Sequence, residues 1–294
     1  MGIGLREEHA LRQEFLQDLP QSLRVSARLS LAVSGASGQS RIIERHEAGA
    51  MRFRFPNSAG QGANHALEAM SVNIAGGLAG GDSVDIAVES REGASLTLSS
   101  TAAERIYRSA GDETRISLAL KASGGASLLW LPQESMLHEG AKLRRSLDIA
   151  VDHSATCLMG DMLYFGRHAM GEAFTRGLWR ESWRIRRDHR LVLADETRLE
   201  GDFSDKRAQP GSLHRARVMA SLVLVAPDAE ERLPALRAAF AQHPQVEAGA
   251  SAQSAGGLVF ARFLAENGMA LRAAFLHALH ALAPDDARLP RLLT

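Results

Sequence analysis

The chain has 294 residues, 45% hydrophobic and 23% charged, an ordinary globular composition with room for one large domain or two smaller ones. Its 34 Lys and Arg residues equal its 34 Asp and Glu residues, so charge recommends neither nucleic acid nor a membrane surface as a partner. One cysteine, Cys157, excludes an internal disulfide and suits a reducing, cytoplasmic setting.

Residues 1–21 carry charges every few positions, with no apolar core of signal-peptide length. They read as a flexible N-terminal extension before a domain over 22–294. No run approaches the roughly 18 apolar residues of a membrane helix. The stretch "SLRVSARLSLAV" alternates, with Leu23, Val25, Ala27, Leu29, Leu31 and Val33 on one face of a predicted strand. "SGASGQS" follows as a turn, and "AMRFRFP" resumes the alternation with Met51, Phe53 and Phe55. Further strands are predicted near 66–74, 84–90, 94–100, 115–122, 126–132 and 143–151, then at "LVLAD" and "RVMASLVLVA". Short strands with turn signals between them predict an antiparallel β architecture rather than alternating β/α units.

The last 70 or so residues change character. "PDAEERLPALRAAFAQH" predicts a helix with Asp228 as N-cap and Glu231 three residues on, trimmed or kinked by Pro234. A strand over 256–264 and a helix ending before Pro284 follow, the helix burying Leu271, Phe275, Leu279 and Leu282. The expected fold is mainly β: an elongated, predominantly antiparallel body over about 22–214, with a C-terminal strand–helix–strand–helix layer over about 215–294. No internal repeat or low-complexity linker divides it.

Within this frame "NIAGGLAGGDS" (73–83) has the spacing of a phosphate-binding loop, G-x-x-x-x-G, but Asp82 stands where that loop needs a lysine. Asp82 would repel phosphates, and the following "SVDIAVES" alternates as a strand rather than opening a helix. The glycines therefore read as a turn that uses positive φ or a close backbone approach. His277 and His280 lie three apart on the last helix, which lets them share a ligand, but they fall on its expected solvated side and no third ligand lies close in sequence. No H-e-x-x-H-type helix and no G-x-S-x-G elbow occurs. Cys157, within "SATCLMGDML", reads as a core thiol. "RGLWRESWRIRRDHR" is basic and aromatic, yet Trp183 and Ile185 alternate with Arg184 and Arg186 as in a strand with one polar face. The carboxylates Asp82, Glu104, Glu134, Glu139, Asp161 and Glu172 lie in or beside irregular segments; carboxylate oxygens suit hard or borderline cations, but the default reading of this set is surface carboxylates.

Taken in order, "NIAGGLAGGD", "TAAERIYRS", "WLPQESMLHEGAKLRR", "FGRHAMGE" and "WRIRRDHRLVLADETRLEGD", with the terminal "LPRLLT", resemble the UreD family of urease accessory proteins, called UreH in some organisms. The likeness runs from about Ser22 to the C-terminus. It implies a mostly β fold and a non-enzymatic role as chaperone of nickel insertion. The implied partners are urease apoprotein, the helical accessory protein UreF and, through it, the GTPase UreG; no nucleic acid and no membrane is implied. No cofactor is implied as tightly bound, Ni2+ being in transit, and an internal tunnel is the route proposed for it. Carried over by motif, the family positions are Asn73, Gly76, Gly77, Gly80, Gly81, Tyr107, Arg108, Pro132, Gln133, Gly166, Arg167, Met170 and Gly171. Asp82, Glu104, Glu134 and Glu172 are the implied transient nickel contacts. Departures stand at His138 and Glu139, where the family has an aromatic or aliphatic residue and Asp, at Asp161 in place of Glu, and at Ile74 in place of Thr; His138 reads as an exposed loop histidine sooner than as an added nickel ligand. A metal-dependent enzyme would instead need a closed ligand set with an acid or base, and a nucleotide module would need a cation in place of Asp82.

Overall fold

The computed structural model describes residues 24–56, 66–207, 209, 212–213, 215–253, 256–284 and 286. The extension over 1–21 and the terminal "LPRLLT" lie outside the described residues. In chain order the strands are β1 (Ser26–Ser34), β2 (Arg41–Ala48), β3 (Met51–Arg54), β4 (Leu67–Asn73), β5 (Ser83–Arg91), β6 (Ser95–Ser100), β7 (Glu104–Ile106), β8 (Thr114–Ala122) and β9 (Ser127–Leu131). They continue with β10 (Ser135–Leu137), β11 (Lys142–Val151), β12 (Thr156–Phe165), β13 (Arg176–Arg187), β14 (Arg190–Asp202), β15 (Val218–Val225), β16 (Glu247–Gln253) and β17 (Leu258–Ala265). Helix α1 spans Leu233–Ala241 and helix α2 spans Gly268–Leu282.

Two sheets face each other. The first runs β14-β13-β11-β8-β5-β1-β2 and the second β16-β17-β15-β12-β9-β6-β4-β3. Between β4 and β13 the chain visits them alternately: β4 in the second, β5 in the first, β6 in the second, then β8, β9, β11, β12 and β13 in turn. The backbone thus winds as a flattened coil. Each return travels in the same direction as the last, so β5, β8, β11 and β13 pair in parallel, and so do β4, β6, β9 and β12. The body is therefore not predominantly antiparallel. The sheets are mixed and stack like a solenoid, with antiparallel pairs at the ends of the winding. Alternation within a strand reports which face is buried and not which neighbour it pairs with, which is why the direction was misread.

One edge of the coil carries a repeat that the sequence shows only in outline. The corners "REGAS" (91–95), "SGGAS" (123–127) and "DHSAT" (152–156) stack, with Ala94, Ala126 and Ala155 all buried. They recur at intervals of roughly thirty residues, the range of solenoid repeats. Backbone bonds tie each corner to the next: Gly93 N donates to Gly124 O at 2.8 Å and Thr156 N to Ala126 O at 2.9 Å. The Asp152 carboxylate accepts from Gly124 N at 2.6 Å and from Ala155 N at 2.8 Å. Burial would raise Asp152, but these N–H groups hold it below the usual carboxylate range.

The main core fills the space between the sheets. Leu29, Leu31, Val33, Leu96, Leu98, Leu118, Leu147, Trp179 and Trp183 meet there, each the inward member of an alternating strand. A second core lies on the far side of the second sheet, under the helices, where Leu129, Leu158, Leu222 and Leu224 pack on Leu236, Leu271, Phe275 and Leu279. Strand β15, "VMASLVLV", is buried throughout because it serves both cores. Cys157 is buried in the main core, as expected.

The C-terminal region departs from the expected strand–helix–strand–helix layer in one element. Strand β16, "EAGASAQ", lies between α1 and β17 and pairs antiparallel with β17 at the edge of the second sheet. Its inward positions are alanines, too small to announce a strand. The edge strand β2, "RIIERHEA", escaped notice for a similar reason: both faces are largely exposed, so it shows no alternation. Asp228 makes no side-chain cap and instead pairs with Arg232 at 2.7 Å across a 3-10 turn. Pro234 sits in the first turn of α1, where its missing N–H costs nothing. Helix α2 is capped by Asn267, whose Oδ1 accepts from Met269 N and Ala270 N.

Candidate functional site

The opposite edge of the coil gathers four motif segments. Here the chain does not turn tightly but makes longer excursions between sheets, over 74–82, 101–113, 132–141 and 166–175. The excursions pair with one another. Leu78 N donates to Arg105 O at 2.8 Å and Tyr107 N to Leu78 O at 2.7 Å. Strand β7 pairs in parallel with β10, and β10 with the end of β12. Ser109 N then donates to Gly140 O at 3.0 Å.

The glycine signature makes the first excursion. Gly76 (φ 78°), Gly77 (φ 145°) and Gly81 (φ 91°) occupy conformations that favour glycine. A Cβ at Gly77 would also run into the Tyr107 ring, whose hydroxyl donates to Gly76 O at 3.1 Å. A Cβ at Gly80 would strike Ser109. Asp82 is buried, and its two carboxylate oxygens accept from Val25 N at 2.8 Å and Ala79 N at 2.7 Å. The aspartate that replaces a phosphate-loop lysine therefore closes this turn on itself.

Behind the edge, between the sheets, lies a cavity of about 270 Å³. Asn73, Glu104, Gln133, Ser135, Arg145 and Asp161 supply its polar wall, and Leu118, Trp130 and Leu147 its apolar wall. Asn73 Nδ2 donates to Glu104 Oε1 at 3.0 Å, while Asn73 Oδ1 accepts from Ala75 N at 2.9 Å. Burial pushes Glu104 up to about 7, against the Asn73 and Arg105 N–H groups that favour its ionised form. Gln133 N donates to Ser100 Oγ at 2.9 Å, and Pro132 joins the lining beside it.

Deeper in, Arg145, Asp161 and Glu181 form a buried ion group. Arg145 Nε donates to Glu181 Oε2 at 2.8 Å, its Nη2 reaches both Glu181 and Asp161, and its Nη1 donates to Ser135 Oγ at 3.2 Å. Trp183 Nε1 donates to Glu181 Oε1 at 2.8 Å. Burial pushes Asp161 upward, Arg145 opposes that, and Glu181 adds to it. Burial would lower Arg145, but the two carboxylates outweigh it and hold the guanidinium above its ordinary value. One cation faces two carboxylates, so the group leaves the cavity wall with excess acceptor character. Arg145 and Glu181 were not singled out in the sequence, although a signal was present. Arg145 falls at an inward position of "LRRSLDIAV", between Leu143 and Leu147, and Glu181 falls between Trp179 and Trp183. A charge in the inward phase of an alternating strand must be paired, or it will not stay buried.

The remaining motif residues lie toward the surface. Glu134 does not line the cavity, although Gln133 and Ser135 on either side of it do; its Oε2 lies 3.6 Å from Arg272 of α2. Glu172 Oε1 accepts from Glu139 N at 2.7 Å, and Arg167 Nε donates to Glu172 Oε2 at 2.7 Å. Burial would raise Glu172, but the Glu139 N–H and the Arg167 guanidinium hold it low. Glu139 in return accepts from Thr175 N at 2.6 Å and Thr175 Oγ1 at 2.9 Å. Gly166 (φ 97°) and Gly171 (φ 72°) shape the same loop, and Arg108 meets Ala141 in an isolated bridge. His138 is not the exposed loop residue expected: it is 8% exposed, packed edge-on against Tyr107 at 4.9 Å. Burial lowers its pKa, with Arg167 and Arg105 adding to the effect and Glu172 opposing it. Met170 and Ile74 stand out from this edge at 75% and 59% exposure.

Asp82, Glu104, Glu134 and Glu172 thus share one edge of the fold but occupy a turn, a cavity wall, a pairing with α2 outside the cavity and a surface loop. Among the described residues no three His, Cys, Asp or Glu side chains converge as a metal cage. Arg184 and Arg186, from the basic aromatic segment, are engaged by Glu196 and Asp148 on the outer face of the first sheet.

A family model described as "UreD urease accessory protein" matches residues 25–293. The chain is 40% identical over 269 residues to the "Urease accessory protein UreD" of Rhodopseudomonas palustris, covering 92% of this chain and 90% of that one. It is 37% identical over 281 residues to "Urease accessory protein UreD 3" of a Bradyrhizobium species, with 94% and 95% covered. The "Urease accessory protein UreD" of a Methylobacterium species is 42% identical over 260 residues, with 87% and 90% covered.

Proposed function

Since the chain belongs to the UreD family of urease accessory proteins, which act in urease maturation, we propose that it works as a non-enzymatic cytoplasmic scaffold that brings nickel to urease apoprotein. Its partners in this reading are the apoprotein, the helical accessory protein UreF and, through UreF, the GTPase UreG. Nickel is cargo and not a resident cofactor.

The observation that carries the reading is the cavity behind the motif edge. Three of the four motif excursions contribute to its wall, so one set of residues shapes both the outer surface and the inner space. Glu104 is the carboxylate best placed to meet a cation there. Near neutral pH it exchanges a proton readily, so an arriving cation displaces a proton rather than competing with a fixed ion pair. The excess acceptor character of Arg145, Asp161 and Glu181 draws a cation inward without trapping it, because the arginine occupies the position a metal would need for a closed site. Glu134, paired with Arg272, serves as a contact outside the cavity. Asp82 and Glu172, whose oxygens are engaged by N–H groups, act on the route by holding the first and last excursions in place. The exposed Met170 and Ile74 give the same edge an apolar surface suited to a protein partner.

Two measurements test this. A tagged copy co-expressed with urease subunits and the other accessory proteins is expected to recover urease apoprotein and the helical partner; recovery of neither from folded protein defeats the scaffold reading. With the complex intact, Glu104→Ala combined with Glu134→Ala is expected to lower the nickel content of the urease produced. Nickel content equal to that with the unmodified chain would remove the cavity from the route and leave the scaffold role standing.

A further inference from the structure

The C-terminal layer holds a second feature that urease maturation does not explain. His277 was read as a neighbour of His280 on the solvated side of α2. In the structure its partner is His243, in the turn after α1, and both rings are half-buried. His243 Nε2 lies 3.3 Å from His277 Nδ1, with ring centroids 5.5 Å apart and planes at 83°. Both rings are held by well-packed elements. His243 N donates to Phe240 O at 2.9 Å, and Phe240 packs edge-on against Phe263, which in turn meets Phe275 of α2. Among the described residues no carboxylate or cation is paired with either imidazole.

We propose that His243 and His277 form a peripheral site for a borderline divalent cation of the nickel, zinc or copper class. Imidazole nitrogens bind such ions at about 2.0–2.1 Å, so two of them on one tetrahedral ion stand about 3.3–3.4 Å apart. The observed 3.3 Å separation matches that distance, and a cation there takes the place of the proton between the two nitrogens. The two ligands come from separate elements whose packing fixes the distance, so little ordering is needed on binding. Two protein ligands leave the other positions to water, which makes the site exchangeable. His280, one turn along α2 and exposed, is not required. The inference stands on this geometry alone and does not depend on the nickel route described above.

The test uses the full-length chain and copper(II) chloride, whose paramagnetic resonance spectrum reports nitrogen ligands directly, followed by equilibrium dialysis with nickel(II) and zinc(II) chloride. The unmodified chain is expected to show a two-nitrogen copper signal. His243→Gln and His277→Gln, which keep a hydrogen-bonding group, are each expected to weaken binding of that equivalent at least tenfold, while His280→Gln changes it less than twofold. A nitrogen signal that survives in both His243→Gln and His277→Gln overturns the proposal, as does loss confined to His280→Gln. Proton spectra of the unmodified chain provide a readout free of folding effects. Substoichiometric nickel is expected to broaden the His243 and His277 ring signals first, and a chain in which neither broadens contains only a His–His hydrogen bond.

Discussion

The two edges of the coil are made by the same chain on the same circuits, yet they are built differently. At the corner edge each circuit closes in about five residues, with small buried side chains and a ladder of backbone hydrogen bonds running from corner to corner. At the motif edge each circuit spends more residues, pairs them in short parallel strands, and turns polar side chains toward an interior cavity. The corner edge fixes the spacing of the coils. The motif edge uses that spacing to hold together residues that lie up to a hundred positions apart in sequence, from Asn73 to Gly171. A rigid, repetitive side thus supports an irregular, chemically rich one, which is how loops acquire function on a scaffold.

The largest effect that distinguishes the edges is expected at the ion group behind the motif edge. Arg145→Met leaves Asp161 and Glu181 buried without their counter-charge and is expected to cost about 3–5 kcal/mol, measured by denaturant unfolding. A loss below about 1 kcal/mol would mean that the two carboxylates are not buried as described. Replacing all three together by apolar residues of similar volume should recover much of the loss.

Next in size is a matched pair of glycine substitutions. Gly77→Ala at the motif edge places a Cβ at positive φ and against Tyr107, and is expected to cost about 2–3 kcal/mol. Gly93→Ala at the corner edge also sits at positive φ, but its Cβ meets nothing, so about 1 kcal/mol is expected. Equal losses by thermal unfolding would erase the contrast between the edges.

Glu104→Gln sharpens the contrast through pH. The folded-state pKa of Glu104 lies near 7, above its unfolded value, so between those values the unfolded chain holds fewer protons than the folded one. Glu104 therefore costs no stability below the unfolded pKa, and its penalty grows as pH rises toward 7. The Gln variant should match the unmodified chain at pH 4.5 and melt about 2–4 °C higher at pH 8. A constant offset at both pH values would place the titration elsewhere. The smallest effect belongs to Met170→Ser, expected to change stability by less than about 0.5 kcal/mol while weakening recovery of partners in the co-expression assay.

Much of this molecule was legible in its sequence. Alternation placed most of the long strands and their inward faces, from Leu29 and Leu31 to Trp183 and Ile185, because burying one face of a strand requires a period of two whatever the strand pairs with; β12, buried on both faces, showed no alternation and was not expected. The buried face of α2, the turn made by the glycine signature and the core position of Cys157 were readable for the same local reasons. Tertiary structure alone decided the rest. The direction of pairing depends on where the chain goes between strands, and here it crosses to the other sheet and returns, making parallel what looked antiparallel. Strands β2 and β16 gave no signal because neither buries large side chains. Asp82 turned inward to hold Val25 N, His138 went from surface to interior, and His277 found His243 rather than His280, since each depends on a neighbour distant in sequence. The motifs announced which segments matter. Only the winding, by stacking one excursion on the next, put them on a single edge, three of them around a common cavity.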